Sequence, residues 1–306
     1  MFVLAHLSDP HLAGWSVDEI GSLFNKRLTG WLSWRVNRRR IHLTRVLDLL
    51  LEDLAGRGAD HVTVTGDLVN ISLRQEFARA GQWLRRLGTG EHVTVIPGNH
   101  DAYVDFPWDE GAGRWAEFMS NRGWEPEGSA PNGTQSGFPF VRRLGRVALV
   151  GLSTALPMPP FIAAGQLGET QVADLTRALR TLGTEDVFRV VLIHHPPFPG
   201  GAYKRKSLLD AEAFQAAIRD AGAELVLHGH THVAGLGRIG QTPVIGVPSA
   251  SALKSGHKDA AAYNLYRIAE GDSGWKVTVE IRGLAADAAR IAAAGSYVLT
   301  IPRTRH

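Results

Sequence analysis

Apolar residues along this chain fall into two kinds of run. Short apolar or β-branched stretches, each closed by polar residues, recur at Phe2 to Leu7, His61 to Thr65, His92 to Ile96, Val147 to Leu152, Val187 to Ile193 and Glu224 to Leu227. Their length and composition predict buried strands. Between several of them the apolar residues adopt helical spacing: Leu43, Val46, Leu47, Leu50, Leu51 and Leu54; Phe77, Ala80, Gly81 and Leu84; Val172, Leu175, Leu179 and Leu182; Phe214, Ala217, Ile218 and Ala221. Each set predicts an amphipathic helix with one face against a core. Strand alternating with helix is the pattern of an α/β fold built on a layered sheet. Beyond residue 234 the pattern changes. Gly235 to Ile239, Pro243 to Val247, Tyr263 to Ile268 and Trp275 to Ile281 read as strands with no long helix between them, which predicts a second, more antiparallel sheet. The stretch 284–306 is Ala-rich and then extended, and reads as a variable C-terminal extension. With no internal repeat or low-complexity tract, a single domain over 1–306 is expected.

Composition narrows the class. The 306 residues are 44% hydrophobic and 21% charged, as in globular proteins able to bury a substantial core. No run of 18 residues is apolar and charge-free enough to span a bilayer. The first apolar run ends at Ser8 and Asp9 without the basic region and long apolar core of a secretory signal, so a cytoplasmic location is expected. Cysteine is absent, which excludes disulfides and thiolate metal sites. A transition metal would have to be held by imidazole, carboxylate and amide oxygen. The 13 histidines are therefore worth tracing.

Five predicted strands are followed by metal-capable side chains. Asp9-Pro10-His11 follows the first, Gly66-Asp67 the second and Gly98-Asn99-His100-Asp101 the third; His194-His195-Pro196-Pro197 follows Ile193, and Gly229-His230-Thr231-His232 follows Leu227. In open α/β sheets ligands bind outside the carboxyl ends of the strands, so groups scattered in sequence can converge there. Imidazole with oxygen donors suits Mn, Fe, Zn, Co or Ni, and a carboxylate with two usable oxygens can bridge two ions roughly 3.5 to 4 Å apart. Asp67 is the expected bridge. Singly, each motif is an ordinary turn, as Asp-Pro-His or Gly-Asn-His-Asp often is; five of them in order at five strand ends carry the metal reading.

This ordered set, D-x-H, GD, GNHD, H and GHxH, resembles the calcineurin-like metallophosphoesterases, from Phe2 to about Val247. The HHPP turn at His194 to Pro197 and the segment Gly165-Gln166-Leu167-Gly168-Glu169-Thr170-Gln171 resemble most the branch containing class III cyclic-nucleotide phosphodiesterases and glycerophosphodiesterases. The resemblance implies a layered α-β-β-α sandwich with two central mixed sheets and flanking helices. It implies two divalent or mixed-valence transition metal ions, Mn, Fe, Zn or Co with Mn and Fe favoured. The first would be held by Asp9, His11, Asp67 and His232, the second by Asp67, Asn99, His194 and His230. His100 is implied as acid catalyst or phosphate contact, with Asp101 orienting it. The implied reaction is hydrolysis of a small or lipid-derived phosphodiester by a metal-bridging hydroxide. A cyclic-nucleotide phosphodiesterase, a nuclease and a non-catalytic scaffold at a membrane are the alternatives. Asn70 stands where many relatives carry an acid, and is expected to tune the surroundings of the metals rather than to bind one. His195 and His228 are expected to support their loops. His42, His61, His92, His257 and His306 are expected at the surface or in turns.

Charge adds one feature. Lys26, Arg27, Arg35, Arg38, Arg39, Arg40 and Arg45 fall in the acid-free window Ile20 to Leu47, and the other 26 basic residues are outnumbered by 30 acidic ones. Nucleic acid is therefore a poor fit as a partner for the surface as a whole. Within this window Phe24, Leu28, Trp31, Leu32 and Val36 lie at helical spacing, which predicts a basic amphipathic helical insertion at about 15–41. Through residues 24–40 it could rest on an anionic membrane at the inner face, cap the site, or pack on the domain or on a second copy in a homo-oligomer while its arginines stay solvated.

Overall fold

The structure is a computed structural model that describes residues 1–12, 26–28, 30, 41–124, 137–198, 205–272 and 274–303. Twelve strands form two six-stranded mixed sheets. In the first sheet, β1 (Phe2–Leu7), β2 (His61–Val64) and β3 (Val93–Val95) run parallel, and β10 (Ala262–Gly271), β11 (Gly274–Leu284) and β12 (Ile291–Pro302) extend it antiparallel from β1. In the second, β5 (Val147–Gly151), β6 (Phe188–Leu192), β7 (Leu225–His228) and β9 (Thr242–Gly246) are parallel, with β4 (Phe140–Leu144) and β8 (Gly235–Ile239) as antiparallel edges.

Strand alternation decides which side chains face which layer. On β5 and β6, Val147, Leu149, Phe188, Val190 and Leu192 point into a core shared with Leu4, Leu7, Val64 and Val95 of the first sheet. Their neighbours Ala148, Val150 and Val191 point outward, onto Leu175 and Leu179 of α3 (Glu169–Gly183) and Phe214 and Ile218 of α4 (Ala211–Ala221). Leu47, Leu50 and Leu54 of α1 (Thr44–Ala55) and Phe77 and Leu84 of α2 (Arg74–Leu87) cover the first sheet. The layering is therefore α-β-β-α, as the motifs imply.

Two sequence expectations are corrected. The strands after residue 234 form no sheet of their own: β8 and β9 complete the second sheet and β10–β12 the first. Nor is 284–306 wholly an appendage, because Ile291–Pro302 pairs along β11, with Trp275 opposite Ile301 and Val279 opposite Tyr297. Ile291, Leu299 and Ile301 are buried in the shared core. The Ala-rich composition hides this strand, since small residues face solvent while a few large ones reach the core. Among the described residues no helix is long and apolar enough to cross a membrane.

Candidate metal centre

Because β1, β2 and β3 of one sheet and β6 and β7 of the other all end at the same edge of the stack, the five polar turns meet there. The turns are tied by backbone bonds: Asp9 N donates to Gly66 O (3.0 Å), His11 N to Asp67 O (3.1 Å) and Gly229 N to His194 O (3.1 Å). Among the described residues, eight that are not glycine have positive φ, and five of these are Asp9, His11, Asp67, His230 and His232. Such conformations cost of order 1–3 kcal/mol each and persist only where the surroundings impose them. Here they aim five predicted ligands into one space. Gly98 permits a close approach, since a Cβ there would collide with the carboxylate and backbone N of Asp67 and with the His194 ring.

All seven predicted ligands come together. Asp9, His11 and Asp67 offer donor atoms within 4.8 Å of one another, and so do Asp67, His194 and His230. Asp67 is common to both groups, and its two oxygens face different ways. Oδ2 lies 3.8 Å from His11 Nε2, and Oδ1 lies 3.5 Å from His194 Nε2. His232 Nε2 is 3.1 Å from Asp9 Oδ1 and 3.2 Å from His11 Nε2, while Asn99 Oδ1 is 3.2 Å from His194 Nε2. Two donors each about 2.0–2.1 Å from one ion are about 2.8–3.4 Å apart at octahedral or tetrahedral angles, so the 3.1–3.2 Å spacings fit pairs of ligands on a shared cation, and the two Asp67 spacings are somewhat wider.

Three of the rings are held from behind by carbonyl acceptors that select which nitrogen faces the site, whereas His232 Nδ1 meets Lys258 Nζ at 3.2 Å. His11 Nδ1 lies 3.4 Å from Val69 O, His194 Nδ1 donates to Thr65 O (2.6 Å) and His230 Nε2 to Lys206 O (3.0 Å). Such outer partners fix tautomer and orientation in metal sites. The donor set of imidazole, carboxylate and amide oxygen suits borderline transition metals rather than Mg or Ca.

Electrostatics agree. Burial pushes the Asp67 carboxyl up, but the charges of His194 and His100 outweigh it and hold it below the usual carboxylate range. Burial lowers His194, yet the charge and hydrogen bond of Asp67, the charge of Asp9 and the Thr65 carbonyl raise it to about 9. A metal takes only the neutral imidazole, so an ion at His194 must displace a proton at pH 7, and affinity must fall as pH drops below about 9. Calorimetric titration with Mn²⁺ at pH 7 in two buffers of different ionisation enthalpy is expected to show release of about one proton per chain at this position; buffer-independent heats would contradict it.

His100 stands beside the cluster, its ring 5.0 Å from that of His11 and stacked on Tyr103 at 5.6 Å. Its Nδ1 donates to Asn70 O at 2.6 Å. The expectation that Asp101 orients this ring is corrected. The buried Asp101 carboxylate instead accepts the backbone N–H groups of Asp67, Leu68, Val69 and Gly98, at 2.8–3.0 Å. It braces the Asp67 turn against the Asn99 turn, and burial followed by the Asp67 charge pushes it up to about 7. Asn70 positions His100 through its carbonyl, while its Nδ2 donates to Leu12 O (2.9 Å). His195 is held between Thr154 Oγ1 (2.6 Å) and Ala163 O (3.1 Å), and His228 lies against Gly229 O, both as supporting groups.

Two surface assignments fail. His61 is buried in β2 against Thr94 Oγ1 (2.7 Å). His42 is buried too, beside His11 and His232. No strand end precedes His42, so a search of strand ends passes over it.

Most of the basic insertion, including Phe24, Trp31, Leu32, Arg35, Val36 and Arg38–Arg40, lies outside the described residues. Among its described residues, Arg27 departs from the expected solvated face. Arg27 is buried and donates to Ile71 O (3.1 Å) and Ser72 O (2.6 Å), whereas Leu28 is exposed. Lys26 donates to Tyr103 O (3.1 Å) and Met158 O (2.6 Å). Lys26 and Arg27 are thus pinned beside Tyr103 and the Asp67 loop.

The family model for calcineurin-like phosphoesterases matches residues 2–234, which contain every one of these ligands. The chain belongs to the calcineurin-like phosphoesterases. No curated protein matches it. Among solved structures this phosphoesterase is similar to a dimetal phosphatase from Danio rerio, with 14% identity and a TM-score of 0.53 over 95% of this chain and 98% of that one. It is also similar to GAP50, the anchor in the inner membrane complex of Plasmodium, with 13% identity and a TM-score of 0.54 over 98% and 89%. Zinc-complexed Vps29 from Entamoeba histolytica is a more remote likeness, with 13% identity and a TM-score of 0.45 over 97% and 99%. At these identities the likeness is one of fold.

Proposed function

We propose that this calcineurin-like phosphoesterase is a two-metal phosphodiesterase acting on a small or lipid-derived phosphodiester. The observation that carries the reading is the divided Asp67 carboxylate, one oxygen toward His11 and the other toward His194. Asp9, His11, Asp67 and His232 would hold one ion, and Asp67, Asn99, His194 and His230 the other. Bound there, the ions would supply solvent activation near neutral pH and neutralisation of phosphoryl charge.

The chain's own residues do the rest. The His100 ring stands 5.0 Å from that of His11, and the Asn70 carbonyl that accepts its Nδ1–H also steadies the ring when it is cationic. In that state Nε2–H can protonate the departing alkoxide. Tyr103, stacked on His100, and Lys26, 4.2 Å above the Tyr103 ring, line one wall. Phe161 lies in the Met158 loop, 79% exposed. The Tyr103 and Phe161 rings favour a leaving group with aromatic or apolar surface.

With Mn²⁺ added, the protein is expected to hydrolyse bis(p-nitrophenyl) phosphate faster than p-nitrophenyl phosphate. The reverse preference would move the reading to a phosphomonoesterase, and no hydrolysis of either would favour a scaffold. A panel of cyclic nucleotides, glycerophosphodiesters and phospholipids then narrows the substrate.

A further inference from the structure

The polar residues at this edge exceed what the two ligand sets use. His42 enters from the far end of the insertion and belongs to no strand-end motif. Its backbone is clamped to the loop after β9: it bridges Ala252, Leu43 N donates to Ser251 O (2.9 Å) and Leu253 N to Ile41 O (2.8 Å). Its side chain is 5% exposed. The ring stands edge-on to His11 at 4.7 Å and to His232 at 5.5 Å, and those two rings are 5.1 Å apart. Candidate donor atoms of all three imidazoles lie within 4.8 Å of one another. Two nitrogens on one ion can be no more than about 4.2 Å apart. Only one pair of the trio can be trans, so sharing one cation requires the other pairs to close to about 3.4 Å or less.

Two serines stand behind His42 at Nδ1. Nδ1 is 2.8 Å from Ser251 Oγ and 3.3 Å from Ser249 Oγ. Ser249 Oγ gives its proton to Asp9 O at 2.6 Å, so toward His42 it acts as an acceptor. With Ser251 Oγ accepting as well, Nδ1 carries the ring proton and Nε2 presents the lone pair. The same hydroxyl that fixes His42 also fixes the backbone of the ligand Asp9. Hydroxyls in this place do for His42 what carbonyls do for His11, His194 and His230.

We infer that His42 is a further ligand of the first ion, delivered by the segment 41–43 paired with the loop after β9. This rests on the two-metal reading above and deepens it. The first position would then carry three imidazoles and two carboxylates, from His11, His42, His232, Asp9 and Asp67. The second carries two imidazoles, the shared carboxylate and one amide oxygen. Nitrogen-rich sites discriminate more strongly for the later first-row metals. The two positions therefore differ in affinity and preference, and the first fills first.

The test is metal binding by the metal-free full chain, independent of turnover. Co²⁺ is titrated against a competing chelator, and its visible ligand-field spectrum is recorded. His42→Asn keeps an amide donor where Nδ1 meets the serines and removes Nε2, so it separates ligation from packing better than His42→Ala. In His42→Asn the tighter of the two Co²⁺ affinities is expected to fall at least about tenfold, with an altered spectrum for that ion, while the weaker affinity stays within about twofold. Ser251→Ala should shift the same affinity in the same direction by less. Unchanged affinities and spectrum in His42→Asn, with two ions bound, overturn the assignment of His42 alone. Fewer than two ions in the unaltered protein overturn the two-metal reading and this inference with it. If His42→Asn melts well below the unaltered protein without metal, Ser251→Ala decides, and an unchanged tighter affinity there overturns the assignment.

Discussion

Asp67→Ala is expected to leave the protein with fewer than two ions per chain and to reduce phosphodiester hydrolysis by a factor on the order of 10³ or more. The expectation follows from the position of this one carboxylate. Its oxygens serve both groups of donors, so its loss removes a ligand from each, whereas loss of any other predicted ligand removes one from one. Metal ions at a phosphoryl centre contribute several kcal/mol to the transition state, and each 1.36 kcal/mol is a factor of ten in rate. The substitution also takes an acceptor from His100 N, bonded to Asp67 Oδ1 at 2.7 Å, so the Asn99 turn should loosen. Asp67→Asn retains the volume and much of the hydrogen bonding, and is the control for that loosening. Elemental analysis after dialysis against Mn²⁺ measures the metal. Two ions retained per chain in Asp67→Ala would remove the bridging role.

His100→Ala should behave differently. The ring belongs to neither donor group containing Asp67 and is held by Asn70 O and Tyr103 rather than by a candidate metal position. Turnover is expected to fall by about 10² to 10⁴, the usual contribution of a general acid, with metal content unchanged. Substrates discriminate acid catalysis from mere contact. With a p-nitrophenolate leaving group, which needs little protonation, the loss should be smaller than with an alkyl alkoxide. An equal loss for both classes would assign His100 to phosphate contact, and no loss would remove it from the reaction.

Much of the site is legible in the sequence because its logic is local. Each candidate ligand follows a strand within a few residues, and parallel strands deliver their ends to a common edge. Asp9, His11, Asp67, Asn99, His194, His230 and His232 could thus be read from strand ends and motif order. Three features could not, for physical reasons. His42 reaches the site through pairing of residues 41–43 with the loop after β9, a contact across more than 200 positions that leaves no local periodicity. Asp101 sits beside His100 in sequence, which suggests a shared task, yet its side chain turns away to gather four backbone N–H groups. Arg27 looks like a solvated cation, but carbonyls at the end of the Asp67 loop give it buried acceptors. Composition describes what a side chain prefers on average; partners supplied by distant segments override it.

The sheets show the same division. Alternation placed the inner strands, whereas the allocation of the last strands depends on which edge is open, and β1 and β7 provide edges in different sheets for β10 and β9. β12 is harder still, since only Ile291, Leu299 and Ile301 of its twelve residues are buried core positions.

The central claim is that two cations share Asp67. Anomalous diffraction from crystals grown with Mn²⁺ tests it most directly. Two peaks per chain are expected, roughly 3.5 to 4 Å apart, one on the His11 and His232 side of Asp67 and one on the His194 and His230 side. A single peak, or two peaks without a shared Asp67 oxygen ligand pair, would contradict the account.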